Sequence, residues 1–149
     1  MTPGFYSHPD HAEALRAAMA SWAGARFHSR YCLPGRFGDC FTAPRECFAR
    51  TGAIGKIDSK AGYFSYARTR KGLQRCVAAI HQAAEAVEVG IEDRQFGDWI
   101  GFFNGVFHSA IVIDRETIWH LHIDGVAEVT FTPDWLAQAA VCIRLIGPR

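Results

Sequence analysis

The amino-acid sequence predicts an α+β domain, with helices in the N-terminal half and an antiparallel sheet in the C-terminal half. Before residue 90, apolar residues recur at helical spacing in three segments. After it, short runs rich in β-branched and aromatic residues alternate with turn signals. The chain has 149 residues, of which 49% are hydrophobic and 21% are charged, so we expect one domain around a single core.

Three helices are predicted in the N-terminal half. The first extends from about residue 9 to residue 23 and ends at Gly24, which suits the left-handed cap position. The second extends from about residue 40 to residue 50, and the third from about residue 71 to residue 87. Between them, residues 53–70 carry a small cluster of basic side chains. This cluster predicts a solvated loop, with a groove for an acidic substrate as the alternative.

The strands are predicted after Gly90. Residues 99–103, 106–113, 117–123 and 127–131 form short segments of strand character. Asn104-Gly105 predicts a two-residue hairpin turn between the first two of these segments. Thr132-Pro-Asp134 predicts the entry to a short helix through Trp135 to Ala139, and a last strand at residues 141–146 completes the domain.

Composition argues against several functional classes. The formal net charge is +1, so we expect no general attraction to nucleic acid or to an anionic membrane. No apolar run approaches the length of a membrane span, and the N-terminus shows no secretory signal. The five cysteines are spaced irregularly and include no C-x-x-C pair, which argues against a disulfide framework and a metal site.

Cys40 stands at the end of a glycine-containing loop, where the second predicted helix begins. At a helix N-terminus, unpartnered backbone N–H groups and the helix dipole favour a negative charge, so a thiol there ionises more readily. Cys40 is therefore a candidate nucleophile. The alternative is a buried structural thiol, because Cys40, Ala43 and Cys47 share the face of the helix that is expected to point inward.

A cysteine nucleophile needs a base within hydrogen-bond reach, and the base needs a third group to orient it. His108, His120 and His122 lie on neighbouring predicted strands. A hairpin centred on Asp114 sets His108 opposite His120. A three-residue turn centred on Arg115 sets His108 opposite His122 instead. The three imidazoles share one sheet face in both registers, although each histidine taken alone is equally well explained by a structural role.

Five segments occur in a characteristic order along the chain. They are Ser21-Trp-Ala-Gly24, Gly38-Asp-Cys40, Phe96-Gly-Asp98, His108-Ser-Ala-Ile-Val-Ile113 and Trp119-His120. This ordered set resembles the NlpC-type cell-wall peptidases, a papain-like group, and particularly their compact phage-associated members. The resemblance extends over roughly residues 12 to 146. It implies a single domain in which the helix that carries the nucleophile packs against the antiparallel sheet.

The resemblance implies a cysteine endopeptidase that hydrolyses amide bonds in peptidoglycan stem peptides without a metal or an organic cofactor. Cys40 would attack the carbonyl carbon, and His108 would protonate the leaving amine. His120 would orient His108, so the resemblance favours His120 where turn length alone favours His122. Backbone N–H groups near Cys40 would stabilise the oxyanion.

The resemblance also implies a substrate-binding surface that includes Phe27, Asp39 and Phe41. Two features depart from the family pattern. Phe41 and Pro44 follow the cysteine where small residues are usual, which would narrow the cleft. Phe27 stands where many members have a tyrosine, which would remove a hydrogen bond near the oxyanion. These departures motivate the alternative of a structural or plug domain at a phage tail tip, with little or no activity.

The resemblance to phage-associated members, together with the missing secretory signal, implies carriage in a phage tail or a prophage-derived particle. Phage tail proteins are then expected as partners besides the stem peptide, and no nucleic acid or membrane is. The protein would reside in the virion, or in the cytoplasm until delivery. A secretion-delivered antibacterial toxin of the same chemistry is a third hypothesis, and it predicts a small immunity partner.

Overall fold

The computed structural model describes residues 2–29, 32–55 and 69–149. These ranges contain four α-helices: α1 (Pro9–Ala20), α2 (Thr42–Arg50), α3 (Arg70–Ala83) and α4 (Pro133–Gln138). Capping residues and prolines define where they begin. The Thr69 side chain accepts a hydrogen bond from the backbone at the start of α3, and Thr132 does the same for α4. Pro9 occupies the first position of α1, where a missing N–H group costs little.

The same ranges contain eight strands: β1 (Arg26–Phe27), β2 (Phe37–Gly38), β3 (Ala84–Val89), β4 (Trp99–Phe103), β5 (Phe107–Val112), β6 (Thr117–His122), β7 (Gly125–Thr130) and β8 (Ala139–Pro148). β1 and β2 pair with each other in parallel. The other six form one antiparallel sheet in the order β3-β8-β4-β5-β6-β7. Helices in the N-terminal half and an antiparallel sheet in the C-terminal half confirm the predicted α+β class.

Alternate residues of the central strands point to opposite faces of the sheet. One face, called here the helix face, packs against α1, α2 and α3. It carries Trp99, Phe107, Ile111, Trp119 and Leu121. The opposite face, called here the outer face, is covered by Phe131 and by Trp135 of α4. It carries Ile100, Phe102, Ala110, Val112 and Ile118. The two faces support separate apolar clusters, so the direction of a strand side chain decides which groups it can reach.

The third helix is shorter than predicted, because residues 84–89 form β3 and not its last turn. These residues pair with β8 in the antiparallel sheet. Glu85 and Glu88 are three residues apart, so the segment lacks the two-residue alternation of a strand, and a β-bulge between Glu85 and Ala86 shifts its register against β8. The sequence therefore contains no periodic signal that would separate β3 from the preceding helix.

The predicted two-residue turn between β4 and β5 is wrong by one residue. Phe103 pairs with Phe107, so residues 104–106 form a three-residue connection. The two-residue turn would have paired Phe103 with Val106. Because a shift of one residue moves every side chain of a strand to the other face, this difference determines the face to which His108 points.

A buried ion pair joins the start of β4 to β8. The guanidinium of Arg144 donates two hydrogen bonds to the Asp98 carboxylate, from Nε to Oδ1 at 3.0 Å and from Nη2 to Oδ2 at 2.8 Å. Both side chains are almost fully buried. The backbone N–H of Gln95 also donates to Asp98, so the pair holds the segment that leads into the sheet.

Most of the basic cluster predicted as a solvated loop or groove, residues 56–68 of 53–70, lies outside the described residues. Gly55 precedes this gap, and its backbone N–H donates to the carbonyl of Ala83, the last residue of α3, at 2.8 Å. Among the helices that the structure describes, none combines the length and the apolar character needed to cross a membrane.

Candidate active site

Cys40 lies at the end of the loop that leads into α2, two residues before the helix begins. Asp39 caps that helix. Its Oδ1 atom accepts hydrogen bonds from the backbone N–H groups of Phe41 and Thr42, at 2.9 and 2.7 Å. The Thr42 hydroxyl in turn accepts from the backbone N–H of Asp39 at 2.7 Å. This reciprocal capping fixes the backbone around Cys40.

The Cys40 thiol is buried and protonated in this arrangement. The residue is only 8% exposed. Burial raises the pKa of Cys40 to about 12, and the neighbouring Asp39 carboxylate raises it further. The sequence predicted a thiol that ionises more readily than usual, and this expectation is wrong here. Desolvation outweighs the helix dipole, since the thiol is buried and the Asp39 carboxylate lies beside it.

Ser109 is the β5 residue that contacts Cys40. Its hydroxyl donates a 2.5 Å hydrogen bond to the carbonyl oxygen of Cys40, and the residue is fully buried. Ser109 was not among the residues predicted for the site. The sequence does contain a signal for this role. Within Phe107–Val112, Ser109 lies on the same face of the strand as the apolar residues Phe107 and Ile111, and it is the one polar residue on that face.

His108, His120 and His122 form a cluster on the outer face. The Nε2 atom of His108 lies 2.7 Å from the Nδ1 atom of His120, which is a hydrogen bond between two imidazoles. The ring of His122 lies 5.3 Å from that of His108 and 5.6 Å from that of His120, measured between centroids. Trp135 of α4 packs beside the first two rings. The three imidazoles share one face of the sheet, as predicted.

The register of β5 against β6 corresponds to the three-residue turn. Ile111 pairs with Trp119, which is the register that sets His108 opposite His122. The shortest contact of His108 is nevertheless the diagonal one, with His120. Both alternatives derived from the sequence are therefore present, one in the backbone register and the other in the side-chain contact.

Cys40 and His108 do not meet. Cys40 belongs to the helix-face cluster, whereas the ring of His108 stacks on Phe102 of the outer face, with centroids 6.1 Å apart. The contact that the sequence predicted between nucleophile and base is absent from the described residues. The physical reason is the three-residue connection between β4 and β5. It sets a register in which the side chain of Ser109 points toward Cys40 and that of His108 points away from it.

Both inner imidazoles of the cluster are neutral near pH 7. Burial lowers the pKa of His108 to about 3 and that of His120 to about 4, because a charged ring would lose its hydration there. The neighbouring imidazoles lower both values further. In the described part of the chain, neither ring has a carboxylate partner that would oppose this effect. One neutral ring must donate and the other accept in the bond between them.

The three residues assigned to substrate binding occupy different environments. Phe41 is a core residue, 2% exposed, with its ring edge-on to Trp99. Asp39 is buried as the cap of α2, but its Oδ2 atom has no hydrogen-bond partner among the described residues. Phe27 is half-buried on β1 and lines an open groove.

The described residues contain no group of three or more His, Cys, Asp or Glu side chains placed to hold a metal ion. All five cysteines are free thiols. The reactive groups described above are a thiol, a pair of imidazoles and a carboxylate oxygen without a hydrogen-bond partner among the described residues.

Neither a protein-family model nor a curated protein sequence matches the chain. Several solved structures do. A Staphylococcus aureus protein, described as similar to a lipoprotein of the NLP/P60 family, superposes with a TM-score of 0.67 at 16% identity, over 98% of this chain and 45% of its own. For an NlpC/P60 family protein from Bacillus cereus, the TM-score is 0.62 at 20% identity, over 91% of this chain and 40% of its own.

The NlpC/p60 domain of the peptidoglycan hydrolase SagA is also similar, with a TM-score of 0.54 at 16% identity over 88% of this chain and 96% of that domain. The chain therefore has the papain-like fold of the NlpC/P60 proteins. It spans less than half of the length of the Staphylococcus aureus and Bacillus cereus proteins. At these identities, the likeness concerns the fold alone.

Proposed function

We propose that the chain is a cysteine hydrolase that cleaves amide bonds in peptidoglycan stem peptides, with Cys40 as its nucleophile. The observation that carries the proposal is the position of Cys40 two residues before α2, in a fold shared with the domain of a peptidoglycan hydrolase. A helix N-terminus favours the negative charge that develops on the thiolate and on the carbonyl oxygen of the substrate.

The proposed reaction uses Cys40 and His108 as a pair, with His120 as the orienting residue. His108 takes the proton of the thiol, and the thiolate attacks the carbonyl carbon of the scissile amide. The C–N bond breaks as His108 returns the proton to the leaving amine, which leaves a thioester. Water, deprotonated by His108, then hydrolyses the thioester and restores the thiol. The 2.7 Å contact between His108 and His120 supports the assignment of the orienting role.

The reaction requires His108 to reach the helix face. A shift of β5 and β6 together by one residue against β4, with Asn104-Gly105 as a two-residue turn, gives His108 that direction and keeps its contact with His120. An imidazole beside Cys40 would then lower the pKa of the thiol from about 12, because the imidazolium stabilises the thiolate.

A second candidate function is a structural domain that keeps the fold without hydrolysing peptides. The separation of Cys40 and His108 on opposite faces favours it. The shift needed for catalysis would also move Phe107 and Ile111 out of the helix-face core, where both are buried. Delivery in a phage tail or prophage-derived particle, with tail proteins as partners, stays a prediction from the sequence in either case.

Digestion of purified sacculi tests the proposal. The reduced protein, Cys40→Ala, His108→Ala and Cys32→Ala are each incubated with sacculi, and the released muropeptides are identified by mass spectrometry. Cys32→Ala is the matched control, because Cys32 is a half-buried free thiol that the reaction does not use. Circular dichroism establishes that each variant is folded.

Release of muropeptides by the parent and by Cys32→Ala, but not by the other two variants, supports the hydrolase. Release by His108→Ala, with none by Cys40→Ala, would support Cys40 as the nucleophile and contradict His108 as the base. If the folded and reduced parent releases nothing, the hydrolase proposal fails and the structural domain is favoured.

A further inference from the structure

A groove separate from Cys40 and the histidines runs between the C-terminal half of α1 and the edge strand β7; it is called here the α1–β7 groove. Its first part has a volume of about 400 Å³ and is lined by apolar side chains that include Trp119. Gly24 and Val126 line both this part and a second part of about 480 Å³, so the two parts are adjacent. Each volume lies in the range of known ligand sites.

Each part of the α1–β7 groove carries one arginine and one carboxylate on facing elements. Arg16 and Glu128 line the first part, and Arg26 and Asp124 line the second. None of these four side chains forms a salt bridge within the described ranges. The guanidinium of Arg16 lies over the Phe96 ring, 4.1 Å from its centroid, which restricts its orientation. The groove therefore offers both signs of charge to a ligand.

The edge of β7 supplies backbone hydrogen-bonding groups along the same groove. β7 pairs only with β6 among the described strands. The N–H of Phe131 donates to the carbonyl of Glu116, so alternation along the antiparallel pair directs the backbone groups of Val126 and Glu128 away from β6. Both residues line the groove. An unpaired edge of this kind can accept a further strand.

We propose that the α1–β7 groove binds an extended peptide of L-amino acids, which adds a strand to β7. An acidic side chain of the peptide pairs with Arg16, and a basic one pairs with Glu128. Strand addition uses the backbone groups of β7, while the apolar surface around Trp119 receives the side chains between the charges. The proposal goes beyond peptidoglycan hydrolysis and does not depend on Cys40, so either can fail without the other.

Fluorescence anisotropy with a labelled octapeptide tests this proposal. In the probe, valine occupies every second position, and lysine and glutamate take turns at the positions between. When the peptide is extended, both charged side chains therefore lie on the same face of the strand. The parent protein is expected to bind the probe. Charge reversal in Arg16→Glu or Glu128→Lys is expected to weaken binding about tenfold or more, because it replaces attraction by repulsion. Glu88→Lys, on the opposite edge strand β3, is the matched control and is expected to bind as the parent does.

N-methylation of the probe tests the backbone contribution. Only alternate amides of an added strand face β7, so methylation of one alternate set is expected to abolish binding and methylation of the other set to preserve it. No binding by the parent, equal binding by both methylated probes, or unchanged binding by Arg16→Glu and Glu128→Lys would overturn the proposal. Preference for a stem tripeptide that contains D-glutamate over the L-octapeptide would also overturn it, because the groove would then be a site for wall peptides.

Discussion

The hydroxyl of Ser109 donates a 2.5 Å hydrogen bond to the carbonyl oxygen of Cys40, and this contact identifies the side of β5 that meets the start of α2. His108, the next residue along the strand, points to the outer face and bonds to His120. Only a β5 residue whose side chain lies on the same face of the strand as Ser109 can reach Cys40. The state of the thiol therefore depends on the register of one strand.

Cys40 is expected to react slowly with iodoacetamide in the native protein. It is buried, and its pKa of about 12 leaves very little thiolate at neutral pH. Cys32 is half-buried and is expected to react faster. Alkylation of the reduced protein, followed by mass spectrometry of its peptides, measures both rates, and the denatured protein gives the reference. Faster labelling of Cys40 than of Cys32 would contradict the buried arrangement.

Ser109→Ala is expected to lower the free energy of unfolding by about 1–3 kcal/mol, because it leaves the buried carbonyl of Cys40 without its donor. Ser7→Ala is the matched control. The Ser7 hydroxyl also donates to a backbone carbonyl, that of Gly4, but at an exposed position, so a change within about 0.5 kcal/mol is expected. Urea unfolding measures both values. Equal effects of the two substitutions would show that the contact with Cys40 has no special weight.

The histidine cluster is expected to make the fold less stable in acid. The folded pKa values of about 3 for His108 and about 4 for His120 lie below the value of 6.5 for an unperturbed histidine. The unfolded chain therefore binds protons that the folded chain does not. Stability is complete above about pH 6.5 and falls as the pH is lowered toward these values, by up to about 1.4 kcal/mol per pH unit for each histidine.

Urea unfolding at a series of pH values tests this expectation. The double variant His108→Gln/His120→Gln is expected to show a shallower dependence on pH than the parent, whatever its absolute stability. His81→Gln, on α3 and outside the cluster, is expected to keep the parental slope. An unchanged slope in the double variant would mean that other groups cause the loss of stability in acid.

Asp98→Asn is expected to destabilise the fold by about 3–5 kcal/mol, because it leaves the buried guanidinium of Arg144 without a counter-charge. Glu92→Gln removes the carboxylate of an exposed pair with Arg115, at 3.3 Å, and is expected to cost less than about 1 kcal/mol. Comparison of the two unfolding free energies isolates the effect of burial. Similar losses for both would contradict a buried, mutually dependent pair.

The sequence was sufficient to predict the elements whose periodicity is local. The apolar spacing of α1 and the capping threonine of α4 lie within their own segments, and both helices are present. The end of α3 was missed because residues 84–89 form a strand through their pairing with β8, which is distant in sequence. The local preference of a segment for helix or strand carries no information about a pairing partner that is distant in sequence.

The candidate site also depends on strand pairing that the local sequence does not determine. The shared face of His108 and His120 follows from strand period alone and was predicted. The relation between that face and Cys40 depends on whether β4 and β5 are joined by two residues or by three. Asn104-Gly105 favours the shorter turn locally, but the pairing of Phe103 with Phe107 forms the longer connection. The packing of two aromatic residues on the helix face therefore outweighs the turn preference.

If the chain hydrolyses stem peptides, His120→Ala is expected to reduce turnover far more than His122→Ala. His120 is 6% exposed and contacts His108 directly, whereas His122 is exposed at the end of β6. Loss of His120 leaves the ring of the base free to rotate, while loss of His122 removes only a ring contact. Release of muropeptides per unit time measures both variants. The reverse order would show that the strand register, and not the side-chain contact, selects the orienting residue.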